Sequence, residues 1–477
     1  MRTRSQLLYE GFLQNLGVDP TPCQDRVFCS VANFITSDDG DILVLSGYAG
    51  TGKTTLISAV VNTLETYHSR CILLAPTGRA AKVLSNYSGR TAYTIHKHIY
   101  RQKSVGDDGF GLFSLSMNKS ARTLFIVDEA SLIGAAQDAE KTVFGSGDLL
   151  GDLITFVRSG AHCKLLLVGD RAQLPPIGLN DSPALAEEME AFGGVSFEQM
   201  TTVVRQKSES GILLNATRLR QLLFEDGVAA IAPDELKLRV KGLPDIERIT
   251  GAEVLEALTD AYDRYGSGDT IVLCRSNKMA NRYNAGIRAK IQYKEEELVK
   301  GDALMVVKNC YSIEKEEDAE IEFIANGDVA TLLKIGKYEE RYGLHFAEAR
   351  VSFPDYNDFE YVTKVCTDAL NSEAPALTYD QQNALYQGLS EDYSHIKGKR
   401  KRYQAIKEDP YYTALQIKYA YALTCHKAQG GQWKCVFIDN PFWEEIMERD
   451  QLRWLYTALT RATEKVYLVN FKDRYFV

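Results

Sequence analysis

Residues Gly47-Tyr48-Ala49-Gly50-Thr51-Gly52-Lys53-Thr54 carry the GxxxxGK[ST] spacing of a phosphate-binding loop. An apolar run, Ile42 to Ser46, precedes the loop, and a helix-compatible stretch, Thr54 to Thr66, follows it. Gly47, Gly50 and Gly52 let backbone N–H groups turn inward around phosphates. A helix N-terminus at that point adds free donors and a favourable dipole. Lys53 then reaches the β- and γ-phosphates, and the Thr54 hydroxyl serves Mg²⁺. Ala49, Thr51 and Thr55 complete the expected cradle for ATP or a related triphosphate.

Two further turns supply the groups hydrolysis needs. Asp128-Glu129 closes the apolar run Thr123 to Val127. Asp128 is expected to hold Mg²⁺ and Glu129 to polarise the attacking water. Alone, such a pair reads equally well as a solvated acidic turn; behind a phosphate loop in one sheet, the catalytic reading is the stronger. Gly169-Asp170-Arg171-Ala172-Gln173-Leu174-Pro175-Pro176 closes the run Lys164 to Val168. Gln173 can hydrogen-bond a γ-phosphate or its water without adding charge. A proline-stiffened loop is the alternative reading.

These turns need a sheet to hold them. Ile42 to Ser46, Cys71 to Ala75, Thr123 to Val127 and Lys164 to Val168 are apolar on both faces, as in a parallel sheet covered by helices. Alternation with helical stretches is the α/β pattern, in which ligands bind beyond the carboxyl ends of strands. A second set of strands is expected at Thr270 to Cys274, Cys435 to Ile438 and Val466 to Val469. Between them, residues 291–414 contain Gly301-Asp302, Asn326-Gly327-Asp328 and strand-like segments, the signature of a small β insertion. A polar helical stretch, 379–406, follows it.

The 477 residues are 45% hydrophobic and 25% charged, an ordinary globular composition. Length suggests roughly two to four domains. No apolar run approaches the roughly 18 residues of a membrane span, and Met1 to Leu16 lacks a signal-peptide core. The nine cysteines form no CxxC pair, and Cys71, Cys274 and Cys435 lie in strand-like runs. They read as reduced, buried thiols, and the expectation is a cytoplasmic protein with no membrane partner. A net charge of −9 leaves a nucleic-acid partner open, because phosphate binding follows a local basic track.

Taken in order, the motifs resemble those of superfamily 1 helicases, the RecD-like branch of superfamily 1B. Thr21-Pro22-Cys23-Gln24 is similar to the Q motif, and the resemblance implies that Gln24 reads adenine. The phosphate loop corresponds to motif I, Ala75-Pro76-Thr77-Gly78-Arg79-Ala80-Ala81 to motif Ia and Thr94-Ile95-His96 to motif Ic. Asp128 to Ser131 corresponds to motif II, Gly169 to Pro176 to motif III and Val204-Arg205-Gln206 to motif IV. Thr424 to Gly430 resembles motif V, and Tyr456 to Ala462 resembles motif VI.

The resemblance implies an α/β fold of two RecA-like parallel-sheet P-loop NTPase cores, with a small β-hairpin insertion and an SH3-like β insertion. Core 1A would span 1–194, with a pin hairpin at 100–122; core 2A would comprise 195–290 and 415–477; the SH3-like 2B insertion and its helical extension would occupy 291–414. Arg205 and Arg461 would be arginine fingers, and Gly430 would join the nucleotide site. The implied activity is that of an ATP- and Mg²⁺-dependent motor, a monomer moving 5′ to 3′ on single-stranded DNA and opening forked duplex.

The resemblance also implies a strand path over Pro76, Thr77, Arg79, Thr94, His96, Thr424 and His426. Such contacts go mainly to phosphate and sugar. The two histidines are equally readable as hydrogen-bonded structural residues. Gly106-Asp107-Asp108-Gly109 signals the pin turn. Phe110 or Phe113 could stack on a base at the fork, or simply pack on the neighbouring domain. The basic run Lys397, Lys399, Arg400, Lys401, Arg402 is a solvated face or a phosphate contact. An RNA-directed enzyme and a nucleotide-switched clamp remain alternatives at this level.

Overall fold

The computed structural model describes residues 2–105, 111–135, 145–204, 210–225, 230–310, 324–356, 358–442 and 446–477. The chain divides into two compact units: Met1–Lys103, Leu112–Leu236 and Glu445–Thr460 in one; Ser104–Gly111, Lys237–Glu444 and Arg461–Val477 in the other. Among the described residues no helix is long and apolar enough to cross a membrane. Seven of the nine thiols are buried; Cys23 is half-buried and Cys29 exposed.

The first unit opens with α1 (Arg4–Leu16) and α2 (Pro22–Thr36), each started by a capping box, Thr3 with Gln6 and Thr21 with Gln24. Its sheet strands are β1 (Ile42–Gly47), β2 (Arg70–Ala75), β3 (Ala92–Thr94), β6 (Thr123–Val127), β7 (Lys164–Gly169) and β8 (Val195–Met200), ordered β3-β2-β6-β7-β1-β8 and all parallel. Period-two alternation along β1 sends Leu43 and Leu45 to one core and Ile42 and Val44 to the other. The first core is built with α1, α2, α3 (Lys53–Thr66) and α4 (Gly78–Ser88). The second is built with α5 (Ile95–Ile99) and α6 (Leu149–Ser159). Both faces are covered, which is why these strands read as unbroken apolar runs. The hairpin strands β4 (Tyr100–Val105) and β5 (Gly111–Leu115) pair with each other.

Two expected boundaries are corrected here. Residue 195 does not start a second core, because β8 pairs along its whole length with β1. Beyond it, the Val204 N–H bonds the Gly50 carbonyl at 2.9 Å, and α7 (Gly211–Leu223) packs in the same unit. Nor does 415–477 belong wholly to the second core. The segment containing α12 (Arg449–Leu459) folds into the first unit, where a two-stranded ladder joins β9 (Ala230–Ile231) to β19 (Met447–Glu448). Local pattern cannot show this, since a buried helix reads alike in either core.

The second unit holds β10 (Ile246–Ile249), β11 (Thr270–Cys274), β17 (Ala422–Thr424), β18 (Trp433–Asp439) and β20 (Ala462–Val469), a parallel sheet ordered β10-β20-β18-β11-β17. Helices α8 (Val254–Tyr265) and α9 (Asn277–Lys290) flank it. Between α9 and β17 stands a closed barrel of β12 (Ala303–Val306), β13 (Val329–Arg341), β14 (Leu344–Phe353), β15 (Phe359–Cys366) and β16 (Leu415–Tyr419). The last strand, which starts one residue beyond the expected limit at 414, therefore belongs to the barrel and not to the second sheet. Helices α10 (Tyr379–Asp392) and α11 (Lys399–Glu408) bury Leu385, Leu389 and Ile406 against Leu344, Phe346 and Cys366 at one end of the barrel.

The Gly301-Asp302 turn is the joint between barrel and sheet. Asp302 is fully buried and accepts from Arg288 Nε and Nη2, Lys294 Nζ and the Tyr421 hydroxyl, each at 3.0 Å, and from the Val299 N–H at 2.8 Å. Burial by itself pushes this carboxyl up, but Arg288, the Val299 N–H and Lys294 outweigh it and hold the pKa below the ordinary value. Asp302→Asn leaves two cations uncompensated and is expected to cost about 3 kcal/mol in urea unfolding at neutral pH. The depressed pKa means that the deficit persists above the unfolded value of about 4 and shrinks only as pH falls below it.

Candidate nucleotide site and nucleic-acid interface

The loop after β1 is held open by its glycines. Gly50 and Gly52 have φ of +78° and +85°, and a Cβ on Gly52 would meet Gln24 Nε2 at 2.6 Å. Gly52 caps α3, so the first amides of that helix face the phosphate position. The Thr51 hydroxyl donates to the Tyr48 carbonyl at 2.8 Å and ties the loop across itself. Lys53 Nζ donates to the Gly47 and Tyr48 carbonyls at 2.6 and 3.0 Å. Both partners are neutral, so the charge stays available to an anion in the loop. The Tyr48 ring lies against Phe224 and under Arg220 of α7, whose guanidinium is 4.2 Å from its centroid.

Gln24 is buried, with Oε1 accepting from the Thr21 N–H at 2.9 Å and Nε2 donating to the Thr51 carbonyl at 3.3 Å. The same side chain thus caps α2 and braces the phosphate loop. Asp128 follows β6. Its Oδ1 accepts from the Glu129 N–H at 2.9 Å, and its Oδ2 accepts from the Tyr87 hydroxyl of α4. Burial raises the Asp128 pKa; the Tyr87 hydroxyl, the Glu129 N–H and the Lys53 charge oppose that rise. Glu129 has a left-handed backbone, φ +52°, a conformation that costs a residue with a Cβ about 1 kcal/mol and that turns the chain sharply off the strand. Thr54, at the start of α3, and Asp128 offer hard oxygen donors. Such a hydroxyl and carboxylate suit Mg²⁺ completed by phosphates and water.

The turn after β7 is fixed by Asp170, which is fully buried. Its Oδ1 accepts from the Ala172 N–H, and its Oδ2 accepts from the Tyr456 hydroxyl, both at 2.9 Å. The Tyr456 oxygen in turn accepts from the Ala49 N–H at 2.9 Å. One residue further along α12, Thr457 Oγ1 accepts from the Leu174 N–H at 3.0 Å. Helix α12 therefore fastens the phosphate loop to the turn that carries Gln173. Gln173 is 5% exposed, and its Oε1 has no protein partner among the described residues. An acceptor in that state fits a water or phosphate-bound donor.

On the same edge, Thr77 caps α4 by accepting from the Ala80 N–H at 3.2 Å, with Pro76 and Arg79 half-buried beside it. Thr94 is buried, and its hydroxyl caps α5. The His96 ring lies 5.8 Å from that of Tyr100, and burial lowers its pKa. Both thus have packing roles. Phe113 packs on the core beside β6 and α6, which favours the packing reading over a wedge for that ring. Phe110 and Arg205 lie outside the described residues. In the second unit, Thr424 ends β17, His426 is exposed and Gly430 has φ +77°. There Arg461, 4% exposed, donates to the Gly431 carbonyl at 3.2 Å, so motifs V and VI meet within that unit.

Residues 29–229 match the AAA domain family, and residues 419–469 match the UvrD-like helicase C-terminal domain. The ATP-dependent DNA helicase dda of Enterobacteria phage T4 is 23% identical over 90% of this chain and 94% of its own. Homologues of the chain thus include helicases of the Dda and RecD2 type. The ATP-dependent RecD2 DNA helicase of Deinococcus radiodurans is 25% identical over 89% of this chain, which spans only 46% of that relative's length. The fold has two RecA-like parallel-sheet cores, like a Bacteroides Pif1 helicase crystallised with ADP-AlF3 and single-stranded DNA (TM-score 0.50, 14% identity, 96% of this chain and 95% of that one).

Tyr87, Asp170 and Tyr456 were assigned no role from sequence. Tyr456 sits inside the motif quoted around Arg461, but nothing in the spacing says that its hydroxyl reaches a loop some 400 residues away. Tyr456→Phe keeps the ring and strands the buried Asp170 oxygen. Chemical unfolding of the first unit should show a loss of about 1–3 kcal/mol.

Proposed function

We propose that this chain is an ATP-dependent DNA helicase that moves 5′ to 3′ along single-stranded DNA and opens forked duplex. The observation that carries the reading is the convergence of Lys53, Asp128 and the unpartnered Gln173 oxygen at the carboxyl ends of strands in one parallel sheet. The named activities of its relatives supply the substrate class.

Lys53 and the loop amides hold the triphosphate. Thr54 and Asp128 would hold Mg²⁺, which neutralises charge on the β- and γ-oxygens when bound. Glu129 orients and deprotonates the attacking water, and Gln173 registers the γ-phosphate. Arg205 and Arg461 act as arginine fingers, stabilising charge on the transferring phosphoryl oxygens. Closure driven by the nucleotide and reopening after product release alternate the grip of Thr77 and Arg79 with that of Thr424 and His426, so that each cycle moves the strand. A clamp that only binds would need a partner's arginine; Arg461 in this chain favours the motor. We assign the active species to a monomer working in the cytoplasm.

Forked duplexes with a single 5′ or 3′ tail test substrate, activity and polarity together. ATP-dependent strand displacement should require the 5′ tail, and displacement only from the 3′ tail would overturn the polarity. Phe110→Ala with Phe113→Ala should abolish unwinding while sparing DNA-stimulated ATP hydrolysis; normal unwinding by that variant rules out a pin role for these rings.

A further inference from the structure

The hydroxyl of Tyr87 touches Asp128, a side chain assigned to the cation. The phenol proton goes to Asp128 Oδ2. The remaining Asp128 oxygen is engaged by the Glu129 N–H. A cation that uses Asp128 Oδ2 therefore competes with this phenol for the same oxygen.

Tyr87 is not an isolated surface group. It packs against the core shared by α1 to α4, and its backbone carbonyl accepts from the Ser58 hydroxyl of α3 at 2.9 Å. Its helix is α4, whose other end is capped by Thr77 and carries Arg79. Ten residues at about 1.5 Å each put roughly 15 Å of continuous helix between the strand-binding end and the phenol. The final turn is closed by Gly89 in the left-handed conformation, φ +68°, so the helix ends immediately after the residue that touches the metal site. A rigid helix with one end on each site has the geometry of a mechanical link.

We propose that Tyr87 is a latch on the Mg²⁺ site: its hydroxyl competes with the cation for Asp128, and α4 couples its release to DNA held at Thr77 and Arg79. This rests on the helicase reading above and adds a route by which the strand stimulates ATP hydrolysis. Tyr87 acts through Asp128, so it is a positioning residue and does not touch the reacting atoms.

The test compares wild-type protein with Tyr87→Phe, which removes only the hydroxyl. Binding of a fluorescent ADP analogue is titrated with Mg²⁺ in the absence of DNA, and ATP turnover is measured with and without oligo-dT. Losing one hydrogen bond to a charged group should lower the half-saturating Mg²⁺ concentration by about tenfold. DNA-free turnover should rise, so the stimulation by oligo-dT should fall. An unchanged or higher Mg²⁺ requirement overturns the latch; a lower requirement with undiminished stimulation overturns the coupling through α4. Tyr87→Leu, with ring and hydroxyl both removed, must move both readouts the same way, and a matched thermal unfolding curve excludes a folding defect. Failure of the wild-type protein to turn over Mg²⁺-ATP would instead defeat the underlying functional reading.

Discussion

The nucleotide site depends on one edge of one sheet. β1, β6 and β7 are parallel neighbours or near neighbours, so the turns that leave them emerge side by side. A parallel arrangement needs both faces buried, and the two apolar cores on either side of β1 meet that need. Lys53, Asp128 and Gln173 then come together without any of them being close in sequence. The rigidity of the edge matters because a phosphate loop with two left-handed glycines has little intrinsic preference for one shape.

That loop is braced from three directions. Gln24 reaches it from α2, Tyr48 is packed by α7, and Tyr456 reaches it from α12 while also holding Asp170. The braces are buried hydrogen bonds and ring contacts, which fix position more than they add net stability. Tyr87 has a different character. Its contact is with the very carboxylate that catalysis must use, and such a contact serves control better than support.

The second unit follows similar physics with a different joint. Its parallel sheet is interrupted by a barrel, and an interruption of that size needs a stiff connection if the sheet is to stay in register. A buried carboxylate with three side-chain donors and a backbone donor meets that need at the point where the barrel begins. Arg461 and the Gly430–Gly431 turn lie together in this unit, so the last residues of motif VI meet the end of motif V there.

What the sequence by itself determined was local: the phosphate loop, the acidic and glutamine turns, the apolar strands before them, and an insertion between late strands. These are legible because each is a short pattern whose chemistry depends on neighbours in the chain. Gln24 was legible as a position but not as a cap and brace at once. The tertiary structure alone decided that β8 completes the first sheet, that β16 closes the barrel, and that α12 belongs with the phosphate loop. It alone placed the Tyr87 and Tyr456 hydroxyls on their carboxylates. Strand partners and long-range hydrogen bonds are chosen by which buried surfaces fit together, and a tyrosine in an apolar helix reads the same whatever its hydroxyl will meet.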